Sequence, residues 1–92
     1  MVRRLVHRTD QNAKALTQVL EQCGVQVVSF QSAGNGIPDA YCTKGPKRGA
    51  WVEFKAPDGK LTPDQERFMA GFLEPVWILR TPEDCMRLAA SM

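Results

Sequence analysis

The chain has 92 residues and a mass of 10.3 kDa, with 43% hydrophobic and 24% charged residues. This is the balance of a globular chain of single-domain size, so one domain over residues 1–92 is expected and disorder is excluded. No apolar run approaches the ~18 residues of a membrane span, the N-terminus MVRRLVHRTDQ lacks the apolar stretch of a secretory signal, and no membrane partner is expected. Cys23, Cys42 and Cys85 are odd in number and widely spaced, which argues against a disulfide framework or a zinc site and suits a reducing cytoplasm. The net charge is only +2, but residues 1–60 hold nine Lys/Arg against five Asp/Glu, while residues 61–92 hold three against five. The excess gathers at Arg3, Arg4 and Arg8 and at Lys44, Lys47 and Arg48, with Lys60 further on. Such clusters suit a phosphate backbone, although small basic clusters are more often merely solvated.

In chain order, Ala13, Leu16, Val19, Leu20 and Cys23 draw one stripe on a helix that Thr9 or Asp10 can cap and Gly24 ends. Residues 25–30 are β-branched and aromatic and read as a strand, followed by the glycine-broken stretch QSAGNG. Residues 37–43 and 49–56 read as a hairpin about the turn Lys44-Gly-Pro-Lys-Arg48. Thr62-Pro63-Asp64-Gln65 carries a helix start, with a cap, proline at the first helical position and glutamine three residues after the cap. Phe68, Met69, Phe72 and Leu73 give that helix an apolar face, and Pro75 precedes a strand over 76–80. Thr81-Pro82-Glu83-Asp84 repeats the cap signal before a last helix. The order is α-β-β-β-α-β-α, an α/β chain whose four-stranded sheet is mixed: the hairpin is antiparallel, and the crossover returns the fourth strand parallel to the third.

In the third strand, alternation sends Val52 and Phe54 to the core and Trp51, Glu53 and Lys55 to the other face. A hairpin turning about Pro46 sets Asp39 directly across from Glu53, with Cβ atoms about 5 Å apart. Two facing carboxylates repel, and a cation between them removes the objection. A hard divalent ion takes oxygen ligands and keeps sites for water and phosphate, and Lys55 adds a positive charge beside it. The set suits phosphodiester hydrolysis. The plainer reading is a solvated Glu-x-Lys strand face and ordinary Pro-Asp turn chemistry. His7, the only histidine, reads as a solvated residue rather than a general base.

Gly36-Ile37-Pro38-Asp39, Val52-Glu53-Phe54-Lys55-Ala56-Pro57 and Gly59-Lys60-Leu61-Thr62-Pro63-Asp64-Gln65, in this order and spacing, resemble the virus-type replication-repair nuclease (VRR-NUC) domain. This is a branch of the PD-(D/E)xK superfamily with a restriction-endonuclease-like fold, and the likeness is to its stand-alone phage form. The resemblance implies a Mg²⁺- or Mn²⁺-dependent endodeoxyribonuclease in the phage or bacterial host cytoplasm. It makes Asp39, Glu53 and the Phe54 carbonyl the metal ligands, and Lys55 the catalytic lysine. Gln65 matches a glutamine near the family's active site and is also the third residue of a capping box, two compatible roles. Stand-alone relatives resemble junction-resolving homodimers, so branched DNA such as a four-way (Holliday) junction is the expected substrate. The stripe of Leu16, Val19 and Leu20 reads as core, leaving Met86 and Ala90 of the last helix for a dimer surface. One departure is Ala13, where relatives carry a first-helix glutamate, which puts a second metal in question and leaves room for a nucleic-acid-binding module that no longer cuts.

Overall fold

The computed structural model describes residues 7–46 and 48–92. The elements are α1 (His7–Gln22), β1 (Gln26–Ser29), β2 (Ala40–Thr43), β3 (Ala50–Phe54), α2 (Pro63–Gly71), β4 (Val76–Leu79) and α3 (Pro82–Ser91). The strands form one mixed sheet in the order β1-β2-β3-β4, antiparallel across the first two pairings and parallel across β3 and β4. Among the described residues no helix is long and apolar enough to cross a membrane.

Alternation along the strands divides the side chains between two layers. Ala40, Cys42, Val52, Phe54 and Leu79 face α1 and α3, where Ala13, Leu16, Leu20, Cys85, Leu88 and Ala89 complete the core. Tyr41, Trp51 and Glu53 face the other way, and there Phe72, just past α2, sets its ring edge-on to Trp51 at 5.7 Å. The two helices that contribute most apolar surface therefore share one side, and α2, which contains no fully buried residue, rests on the other.

Local chemistry sets the boundaries. Gly24 closes α1 at φ +86°, a conformation that costs glycine little. The start of α1 differs from the sequence expectation: Thr9 and Asp10 lie inside the helix, which already runs from His7, since neither glycine nor proline interrupts it there. The expected strand over 37–43 begins only at Ala40, because Pro38 has no N–H for a ladder and Asp39 commits its carboxylate rather than its backbone to β3. Thr62 and Gln65 form a full capping box with Pro63 at the first position, and Thr81 and Asp84 repeat it for α3. α2 stops at Gly71, earlier than Pro75 requires, as Phe72 turns into an extended conformation. Leu73 then leaves the apolar face assigned to it and stands 99% exposed.

Candidate active site

The hairpin register pairs Ala40 with Val52, Tyr41 with Trp51 and Cys42 with Ala50, so the next pair outward is Asp39 and Glu53. The backbone carbonyl of Asp39 accepts from Phe30 N–H at 2.7 Å, which turns its main chain toward β1. Toward β3 the pair is thus non-hydrogen-bonded, the type in which facing side chains come closest. The carboxylate of Asp39 reaches on and accepts from Phe54 N–H at 2.8 Å. In an extended strand a residue's N–H and C=O leave on the same side, so the Phe54 carbonyl is turned toward Asp39 as well.

Glu53 is the only charged residue in the buried set of the described residues, at 2% exposure. The solvated strand face allowed by the sequence is therefore wrong at this position, because the start of α2 lies over it. Gln65 Nε2 donates to Glu53 Oε2 at 2.6 Å, while its Oε1 accepts from Thr62 N–H at 2.9 Å. Only the amide nitrogen can donate and only the amide oxygen can accept, so the two bonds fix which way the amide points. One end of the Gln65 side chain thus caps α2 while the other holds the Glu53 carboxylate. Lys55, 13% exposed, sets Nζ 3.9 Å from Glu53 Oε2. Glu53 Oε1 remains buried without a hydrogen-bond partner. Burial, and then the negative charge of Asp39, push the Glu53 carboxyl up to about 7 against the opposing pull of Lys55.

An orphaned carboxylate oxygen, a second carboxylate across the strand pair and a carbonyl turned the same way make an all-oxygen donor set that fits a hard divalent ion. Among the described residues no group of three or more His, Cys, Asp and Glu side chains gathers. The donors these residues could offer such an ion are two carboxylates and a carbonyl, and a hard divalent ion would complete that shell with water or phosphate. Thiol chemistry is remote, since burial pushes Cys42 up to about 12 and Cys85 up to about 11.

A close approach holds this arrangement. Gly36, at φ +79°, lies so near α2 that a Cβ there would overlap the backbone carbonyl of Asp64. The loop leading to Asp39 is thereby seated against the helix turn that carries Gln65. From the other side, Asn12 of α1 donates to the Lys55 carbonyl at 2.7 Å, a contact that no periodicity in the chain announces. Arg80 donates to the carbonyls of Ala56 and Gly59, clasping the turn between β3 and α2 that ends at Lys60.

The chain matches the family model of the VRR-NUC domain over residues 4–75. It belongs to the VRR-NUC family. No curated protein and no solved structure matches it. Membership makes this a nuclease-type domain with DNA as its substrate, and the mixed sheet with its α-β-β-β-α-β-α order is compatible with the PD-(D/E)xK fold, whose nucleases generally use divalent metals.

The basic positions fall into several places. Lys60 is exposed, next to the Gly59 carbonyl that Arg80 holds. Lys44 donates to the Ala89 carbonyl at 3.1 Å near the end of α3, and Arg48 pairs with Glu74 at 2.9 Å. Both belong to the hairpin turn, Lys44 five residues after Asp39 and Arg48 five residues before Glu53, or roughly 17 Å at strand rise. Arg3, Arg4 and Lys47, and the side chains of His7, Arg8 and Asp10, lie outside the described residues. Ala13, the position at which the resemblance implies a first-helix glutamate, is packed in the core between α1 and the sheet.

Proposed function

We propose that this VRR-NUC domain is a metal-dependent DNA endonuclease with Asp39, Glu53, Lys55 and Gln65 as its working side chains. The observation that carries the reading is the buried, unpartnered Oε1 of Glu53 beside the carboxylate of Asp39. A water molecule would leave Glu53 to hold a proton against the charge of Asp39, whereas a cation answers both the orphaned oxygen and the repulsion between the two ionised groups. Asp39, Glu53 and the Phe54 carbonyl would hold Mg²⁺ or Mn²⁺, which supplies Lewis acidity toward the phosphate and makes attacking water more acidic.

The other steps belong to the chain. Gln65 holds Oε2 of Glu53, which aims Oε1 outward from the helix cap. Lys55, as an ammonium, donates hydrogen bonds to the attacking water or to the phosphate oxygens and stabilises the charge that grows on them. Hydrolysis forms one phosphorus–oxygen bond to water and breaks one to the sugar oxygen, the water's proton passing to the leaving oxygen directly or through solvent. Lys60, with Lys44, Lys47, Arg48 and the basic N-terminal residues Arg3, Arg4 and Arg8, would meet flanking phosphates. A homodimer would set two such sites at a fixed separation and suit a four-way junction, whose strands are related by symmetry.

A second reading, a DNA-binding module that does not cut, is favoured by Ala13, which offers no carboxylate where relatives have one. A cleavage panel of four-way junctions, flaps, nicked and linear duplexes in Mg²⁺ or Mn²⁺, run beside Lys55→Ala, separates the two. Metal-dependent cutting lost in Lys55→Ala supports hydrolysis, and salt-sensitive binding with every substrate intact supports the binding module.

A further inference from the structure

Beyond the metal donors, the site face of the sheet carries an aromatic surface. Continuing the register from Ser29 and Ala40 sets Phe30 opposite Asp39, so Phe30, Asp39 and Glu53 stand in one cross-strand row on one face. The neighbouring row is Val28, Tyr41 and Trp51. The rings brace one another: Trp51 lies 5.7 Å from Phe30 and 4.8 Å from Tyr41, and Phe72 closes its far side. Tyr41 is held in turn, since its ring crosses Gly49 where a Cβ would collide with it. α2 covers this assembly from the Trp51 side only. Toward β1 it is open, and Phe30 and Val28 remain 36% and 44% exposed.

We infer that Phe30, braced by Trp51 and level with Asp39 and Glu53, is a stacking platform for an unpaired nucleobase of the strand being cut. The inference rests on reading Asp39 and Glu53 as the phosphate end of the site. Given that, a nucleotide whose phosphate sits at the carboxylates has its base within reach of the next side chain in the row. A base inside a continuous duplex keeps its faces against its neighbours, so an exposed ring at this place can be used only by an unstacked one. A rigid ring is suited to this because little freedom remains to be lost on binding. A second copy of the chain is a poorer occupant, because two partly exposed side chains fall far short of the ~800 Å² per partner that a stable interface covers. The substrate class follows: DNA with an unpaired nucleotide beside the cut, at a branch point, bulge or single-stranded end.

The test uses oligonucleotides with 2-aminopurine placed in a bulge, in a single strand or in matched duplex, titrated in EDTA so that binding is read apart from cleavage. The wild-type chain should quench the unpaired probe and bind it about tenfold more tightly than duplex at equal salt. Phe30→Leu, which keeps an apolar side chain, should lose both the quenching and the preference while holding its duplex affinity, and Phe30→Tyr should restore them. Circular dichroism confirms that each variant is folded. Unchanged quenching in Phe30→Leu overturns the platform. So does a Phe30→Leu chain whose only change is a lower mass in sedimentation, which makes the patch a contact between copies. The hydrolytic reading is judged separately by cutting in Mg²⁺: cutting without any Phe30 dependence removes the platform alone, and Phe30-dependent quenching without cutting removes hydrolysis alone.

Discussion

At Glu53, one carboxylate is divided between two jobs, with Oε2 tied to Gln65 and Oε1 left without a protein partner. The division predicts how stability responds to pH. In the metal-free fold the Glu53 carboxyl sits near 7, well above its ordinary 4.5. Between those values the folded chain holds a proton that the unfolded chain has released, so this group favours the fold below about 4.5 and loses that contribution as pH rises through 7. Denaturant melts in EDTA should show stability declining across this window by about 3 kcal/mol, and Glu53→Gln should flatten the decline. Asp84 works in the opposite sense. Hydrogen bonds from the backbone of Arg80, and then of Thr81, lower its carboxyl, so its contribution is present above 3.8 and fades only in stronger acid. Catalysis should be harsher than stability on the same residues. Asp39→Ala or Glu53→Ala should abolish cutting yet leave the metal-free fold intact or slightly firmer, and Lys55→Ala should slow cutting by roughly 10²–10³-fold. A Glu53→Ala chain that cuts at the wild-type rate would end the site assignment.

Among the elements, α2 is the lightly held one. It buries no residue completely and is kept in place by the hydrogen bond from Gln65 to Glu53, the close approach of Gly36 and the edge-on contact of Phe72 with Trp51. Its amides should therefore exchange with deuterium faster than those of α1, whose Leu16 and Leu20 are in the core. Thr62→Ala should cost about 1 kcal/mol and, because Gln65 serves cap and carboxylate together, should also lower the cutting rate. Gly36→Ala should reduce the rate further, since its methyl group would press on the Asp64 backbone; equal rates for wild type and Gly36→Ala would show that the loop need not be seated there. The sequence made these elements legible where chemistry is local. Both cap signals, the Gly24 stop and the facing of Asp39 and Glu53 follow from residues a few positions apart or from counting back from one turn. What it could not disclose depends on distant parts meeting: the burial of Glu53 under α2, Asn12 on the Lys55 carbonyl, and the release of Leu73 once Phe72 turns onto Trp51.

For the whole molecule, the proposed DNA path and the proposed pairing of chains can be weighed in solution. The hairpin turn lies roughly 17 Å from Asp39, about five nucleotides at 3.4 Å each, so a strand following the hairpin would reach Arg48 at that distance from the cut. Binding should weaken with salt by a log-log slope near −0.9 per neutralised phosphate, and replacing Lys47 and Arg48 with glutamine should flatten it. An unchanged slope would lead the DNA away from the turn. If chains pair as proposed, the mass at micromolar concentration should be about twice 10.3 kDa and junctions should receive paired incisions. Met86, 47% exposed on α3, is the place to interrupt pairing with a charge. A single-chain mass with single nicks in linear duplex would remove junction resolution and leave the nuclease domain standing.

The alternation of β3 also limits how the chain can change in length. Val52 and Phe54 serve the core while Glu53 between them serves the site, so deleting or adding one residue inside the strand would exchange the two sets, sending the carboxylate into the apolar layer. Two residues would restore the facing but carry Glu53 past Asp39. The turn between Thr43 and Ala50 carries no such constraint, because its length changes only how the strands are joined. Natural variation in length within this hairpin should therefore gather at its tip, and a peptide tag inserted beside Pro46 should spare the fold and the facing of Asp39 and Glu53 where one extra alanine after Trp51 destroys both.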